Sequence, residues 1–218
     1  MRTLLLASFA VLISLNTWAQ SDSSYFEVGV NAFRLIGVPK ATPAHLLNPY
    51  LLHAEFGNGK IGARFGLGMN FRSETEQPNA TNGNSSFSDD TTSLDLRVGL
   101  VLAKNLSPRW SFKYGLDLFI SSARRSYTSV VRDVDGLLVE STTESSRSET
   151  GGGLFVFPQF HITKRVSIAT ELNLLYASTL SEGSTTSSDF PEFNTVVSKE
   201  GSYFSLRPPT ALFLIIRF

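Results

Sequence analysis

The stretch that most constrains this chain is Ile61-Gly-Ala-Arg-Phe-Gly-Leu-Gly-Met-Asn-Phe-Arg72. Ile61, Ala63, Phe65, Leu67, Met69 and Phe71 alternate with Gly, Arg and Asn. A period of two places the two sets on opposite faces of an extended strand, whereas a helix would scatter both around its axis. The chain must therefore build a sheet with one apolar and one polar face.

The same pattern recurs. Alternation predicts eight strands, at about 25–36, 48–57, 61–72, 93–103, 109–123, 151–162, 166–180 and 201–218. Three connections are short: the Asn58-Gly59 turn, 104–108 and 163–165. Four are longer: 37–47, 73–92, 124–150 and 181–200. An even strand count with short turns at one end and long loops at the other predicts an all-β fold, an eight-stranded antiparallel up-and-down transmembrane β-barrel. Within 124–150, β-prone runs flank Asp133-Val-Asp-Gly136, so strands five and six are expected to continue outward as a ribbon. Pro158 cannot donate to a ladder and predicts a bulge or local break. Pro208-Pro209 predicts an irregular seam in the closing strand.

The N-terminus reads as a signal peptide. Arg2 precedes an apolar run from Leu4 to Leu15, and Thr17-Trp18-Ala19 supplies small residues before a cut at Gln20. The run is shorter than the ~18–20 apolar residues that a membrane helix needs. The expected organisation is residues 1–19 as a cleaved signal and 20–218 as the barrel. With no Cys, the chain has no disulfide, thiolate metal site or Cys nucleophile, and a net charge of zero offers nothing for nucleic acid.

Which face points inward follows from side-chain size and charge. The polar face carries Gly, Ser, Asn and isolated charges, which suits a filled interior better than a solvated coat. Aromatics on the apolar face, Phe56, Trp110, Phe112 and Tyr114, sit near strand ends as an interfacial girdle would. The apolar face is therefore expected to meet lipid. Glu27, Glu55, Asp95, Asp117 and Glu171 then face Arg64, Arg72, Arg97, Lys113 and Arg207 inside. Unpaired, each buried charge costs several kcal/mol, so these groups are expected to pair and plug the lumen.

Three quoted stretches carry a resemblance: Thr17-Trp-Ala-Gln20, Lys104-Asn-Leu-Ser-Pro-Arg-Trp-Ser-Phe-Lys-Tyr-Gly115 and Leu214-Ile-Ile-Arg-Phe218. With the strand plan, they make the chain resemble the small outer-membrane barrels of OmpA/OmpX-type architecture, and Bacteroidota-type outer-membrane β-barrel proteins in particular. The resemblance implies residence in the outer membrane of a Gram-negative bacterium. It also implies contact with outer-membrane lipid and insertion by the barrel assembly machinery. That machinery would read Leu214, Ile216 and Phe218 as an assembly signal. No catalytic residue, cofactor or metal comes with the resemblance.

The residues themselves add little chemistry. His45, His53 and His161 are too few and too scattered for a metal site, and His53 and His161 read as members of the interior network. A His and Ser pair two residues apart, which would resemble a lipid A deacylase, is absent at all three histidines. Asp89-Asp90 reads as a solvated pair. Gly57-Asn-Gly59 and Gly151-Gly-Gly153 lack the helix and Lys-Ser/Thr of a phosphate loop. Phe190 and Phe193 are either binding anchors or loop packing. The expected function is therefore non-enzymatic. The barrel would present loops 73–92, 124–150 and 181–200 to an extracellular protein or surface ligand, for adhesion, binding or envelope integrity. A narrow porin-like channel and a lipid-modifying enzyme are the alternatives.

Overall fold

The period-two pattern folds into one antiparallel sheet that closes on itself. The structure is a computed structural model and describes residues 24–36, 48–58, 60–76, 86–132, 138–187 and 194–218. Its strands are β1 (Ser24–Asn31), β2 (Leu52–Asn58), β3 (Ile61–Glu76), β4 (Ser86–Asn105) and β5 (Trp110–Arg132). They continue with β6 (Leu138–His161), β7 (Val166–Ala169), β8 (Leu172–Ser187), β9 (Thr195–Arg207) and β10 (Phe213–Arg217). A single helical turn, α1 (Ala32–Ile36), follows β1 where strand one was expected to continue to 36. The signal segment 1–19, the loop 37–47 with His45, and Phe190 and Phe193 lie outside the described residues.

β1 to β6 pair in sequence, β6 passes to β7, and β10 joins β7 to β1, closing a ring. β7 and β8 are halves of one strand, as are β9 and β10, so the wall is an eight-stranded up-and-down barrel. Closure removes the free edges at this end. The short connections gather here too. Ser107 Oγ accepts hydrogen bonds from the Arg109 and Trp110 amides, and Thr163 Oγ1 accepts them from Arg165 and Val166. These hydroxyl-capped turns explain why such short segments reverse the chain.

Both proline irregularities are present, and they differ. Pro158 lies opposite Thr170, between the pairs Gln159↔Ala169 and Val156↔Leu172, and the partner strand lapses there without changing register. Thr170 N still reaches Pro158 O at 3.2 Å, but proline has no amide to return. At Pro208-Pro209 the register does change. The ladder that pairs Asn173 with Arg207 would bring residue 211 opposite Ala169, yet Phe213 stands there, a slip of two residues. An even slip leaves every side chain on its original face.

At the other end the strands outrun the ring. β5 and β6 pair without interruption from Trp110↔Phe160 to Arg132↔Leu138. At ~3.3 Å per residue, β5 is about 75 Å long. The ribbon expected within 124–150 is thus present, and most of the expected loops 73–92 and 181–200 is strand too, with only 77–85, 133–137 and 188–193 outside the described residues. The ladder continues because Ser and Thr fill both faces there and their hydroxyls pair across strands, as in Thr128···Thr142 and Thr143···Thr185.

Candidate functional site in the barrel lumen

The apolar rows face outward. Leu94 to Leu102 on β4 and Leu116, Leu118 and Ile120 on β5 are all exposed, Leu118 by 68%. The opposite rows are sealed inside: Glu27, His53, Arg64 and Gln159 have no exposure at all. This inside-out arrangement is the reverse of a soluble barrel. Phe56, Trp110 and Tyr114 lie exposed on the outer face, with Phe112 half-buried beside them, all toward the turn end. Leu214, Ile216 and Phe218 also face outward.

The buried charges form two groups. Nearer the turns, Lys113 Nζ lies 2.5 Å from Glu27 and 2.9 Å from Glu55, while Arg217 Nη2 lies 2.6 Å from Glu27. The Tyr25 hydroxyl donates to Glu55 at 2.6 Å, and Gln159 Nε2 donates to Glu27 at 3.3 Å. In the second group Arg64 grips Asp117 with two nitrogens and reaches Glu171 at 2.9 Å. Arg97 binds Glu171 closely and lies 3.8 Å from Asp117, and Asn48 Nδ2 donates to Glu171 at 3.0 Å. Each group holds two acids and two bases, so each is neutral in itself.

Glycine makes room for these long side chains. A Cβ at Gly99 would collide with the Asp117 carboxylate, and one at Gly66 with the Arg97 side chain. Aromatic faces serve the cations as well: the Arg64 guanidinium sits 3.1 Å from the Phe155 ring centre, and that of Arg97 4.1 Å from Tyr50.

Three expected members of the network stand elsewhere. Arg72 is solvent-exposed and pairs with Glu74, because β3 beyond Leu67 has outrun its β2 partner and no longer lines a closed lumen. Asp95 is buried but accepts a hydrogen bond from Ser121 and forms no ion pair among the described residues. Arg207 has no ion pair either, and its Nε is buried without a hydrogen-bond partner. Both sit above the paired groups, where β9 has separated from the ring. Conversely, Arg217, Tyr25, Asn48 and Gln159 belong to the network and were not anticipated. Arg217 was legible, since it alternates with the outward Ile216 and Phe218.

Half of the plug is apolar, which alternation alone did not indicate. Val101, Phe155, Phe157, Ala169, Ala211, Phe213 and Ile215 form a buried cluster inside the wall. β10 is apolar on both faces from Phe213 to Ile216, and its inner face packs here. His53 stacks on Phe157 with ring centres 5.1 Å apart, and its Nε2 lies 3.6 Å from Glu55.

His161 meets two serines: Nδ1 lies 2.8 Å from Ser167 Oγ and Nε2 lies 3.0 Å from Ser111 Oγ. Both serines are buried, so the arrangement holds the ring in place and offers no accessible nucleophile. Among the described residues, no group of three His, Asp or Glu is placed to hold a metal ion.

No protein-family model matches the chain, and no curated protein matches it. Among solved structures, the chain is similar to a major outer membrane protein from Thermus thermophilus, with 11% identity and a TM-score of 0.46. The alignment covers 90% of this chain and 100% of that one.

Proposed function

We propose that the protein is an outer-membrane barrel of a Gram-negative bacterium with a plugged lumen, and that its long ribbons present a binding surface outside the cell. The observation that carries this reading is the change of chemistry along β5. Its outward row is apolar from Trp110 to Ile120, then becomes Ser122, Arg124, Ser126 and Thr128 on the same ladder. The apolar part matches the ~9–11 residues that cross a bilayer, and the remainder lies beyond it. By the usual plan the turns face the periplasm and the ribbons face outward.

The two neutral ion-pair groups and the Phe157 cluster fill the wall, which favours an anchor over a pore. Replacing the β5–β6 ribbon beyond Ser122 with a short turn tests the role. The barrel should still insert, and surface binding or envelope phenotypes should be lost. Retention of every phenotype would remove the ribbon from the function.

A narrow channel is the second reading. Arg64 Nη1, Arg97 Nη2, Gln159 Oε1 and Asn173 Oδ1 are buried with no hydrogen-bond partner, and such groups suit a chain of bound waters. Planar-bilayer recording separates the two. A plugged lumen gives no stable conductance, whereas reproducible unitary steps would establish the channel. Lipid modification is tested by mass spectrometry of lipid A from cells with and without the gene, where an unchanged spectrum is expected.

A further inference from the structure

Above the ion-pair groups the lumen widens into a vestibule of about 600 Å³ between β4, β5, β6 and β9. Its walls include Thr91, Ser93, Ser121, Tyr203, Ser205 and Arg207. This surface is rich in hydroxyls, and it carries one arginine, Arg207, without an ion pair among the described residues. Arg147 is neutralised by Glu149 at 2.6 Å, and the Tyr203 hydroxyl also donates to Glu149. Asp95 at the floor is served by Ser121 at 2.6 Å. The groups beneath are neutral in themselves and offer Arg207 no spare acid. Arg207 Nε is buried without a hydrogen-bond partner.

We propose that this vestibule binds a small hydroxylated organic anion of the sugar-acid or sugar-phosphate class. A carboxylate or phosphate provides the paired oxygens that a guanidinium fork engages best. The ligand's hydroxyls then exchange hydrogen bonds with the Ser and Thr walls. A neutral sugar would leave the Arg207 charge unanswered, and a cation would be repelled by it. The ligand arrives either as a free solute or as the headgroup of a surface glycolipid, since both present the same chemistry. The site stands independently of any partner of the ribbons.

Isothermal titration of glucose 6-phosphate and gluconate into the purified protein in detergent micelles tests the proposal, with glucose as the neutral control. Both anions should bind and glucose should not. Arg207→Gln should weaken the anions by about tenfold or more, the loss expected for one charge-assisted hydrogen bond. Asp95→Asn should tighten them severalfold by removing the competing carboxylate, an increase that misfolding does not produce. Heat-modifiable gel mobility checks that both variants remain folded. Absent binding, equal binding of glucose, or an unchanged affinity in Arg207→Gln would overturn the proposal. Native mass spectrometry of protein extracted from membranes separates the sources: a glycolipid travels with the protein, whereas a free solute is removed by dialysis.

Discussion

The two ends of this barrel solve opposite problems with the same ladder. At the turn end the ring is closed, and the space within it is filled by buried charges and aromatics. At the ribbon end β3, β4, β5, β6, β8 and β9 form a sheet that is no longer closed by β1, β2 or β10. There Ser and Thr break up the apolar rows, and the charges that remain pair on the open strand faces, as Arg125 does with Asp89. The closed end takes its stability from what the wall encloses, and the ribbon end from the wall alone. Substitutions should therefore be costly at one end and nearly silent at the other.

The sharpest contrast is between two arginines. Arg64→Ala strips Asp117 of its close partner in a sealed site, leaving Arg97 at 3.8 Å, and should destabilise the barrel by ~3–5 kcal/mol. Arg124→Ala, on the exposed ribbon, should change stability by less than ~0.5 kcal/mol. Urea unfolding of the reconstituted protein measures both, and equal costs would erase the distinction. Phe157→Ala opens a cavity beneath His53 and should cost ~3–5 kcal/mol by the same measurement. Leu118→Arg puts a charge into the apolar belt and should cost ~2–4 kcal/mol if that belt meets lipid. Thr128→Arg, ten residues farther along the same outward row, should be tolerated. Similar losses at both positions would move the membrane boundary.

The smallest effect is expected from acid on the ribbon. The hydrogen bond from Arg125 holds the Asp89 carboxyl below its ordinary range, aided by the attraction of that guanidinium and of Arg72. The pair's contribution is present at neutral pH and disappears as pH falls through this lowered value. Amide protection factors along β4 and β5, taken relative to the intrinsic exchange rate at each pH, should therefore hold steady from about pH 7 to pH 5 and fall only below about pH 4, near the ordinary aspartate range. Loosening at a higher pH would show that the pair is not what braces the ribbon.

Side-chain direction was legible in the sequence, because alternation depends only on the strand. Glu27, Glu55, Arg64, Arg97, Lys113, Asp117 and Glu171 all face inward as the pattern requires. Strand ends were not legible, except that the β-prone runs flanking Asp133-Val-Asp-Gly136 announced the β5–β6 ribbon. Beyond Ile120 the rows lose their hydropathy contrast, and a Ser/Thr ladder has the composition of a loop. Arg72 has the correct parity for the lumen but lies where the ring no longer closes. Alternation gives the face of a residue and not its height. The inner aromatics were hidden for a related reason. In β10 the inner row is apolar at Phe213 and Ile215 and turns polar only at Arg217, so little contrast marks the first two as interior.

The two-residue slip at Pro208-Pro209 has a consequence for how such a molecule can diversify. Because the offset is even, the half of the eighth strand above it can be lengthened, shortened or replaced in steps of two without reversing a side chain in the half below. The chain thus contains a splice point, across which the ribbon half of the strand can change while the closed ring below it keeps its packing.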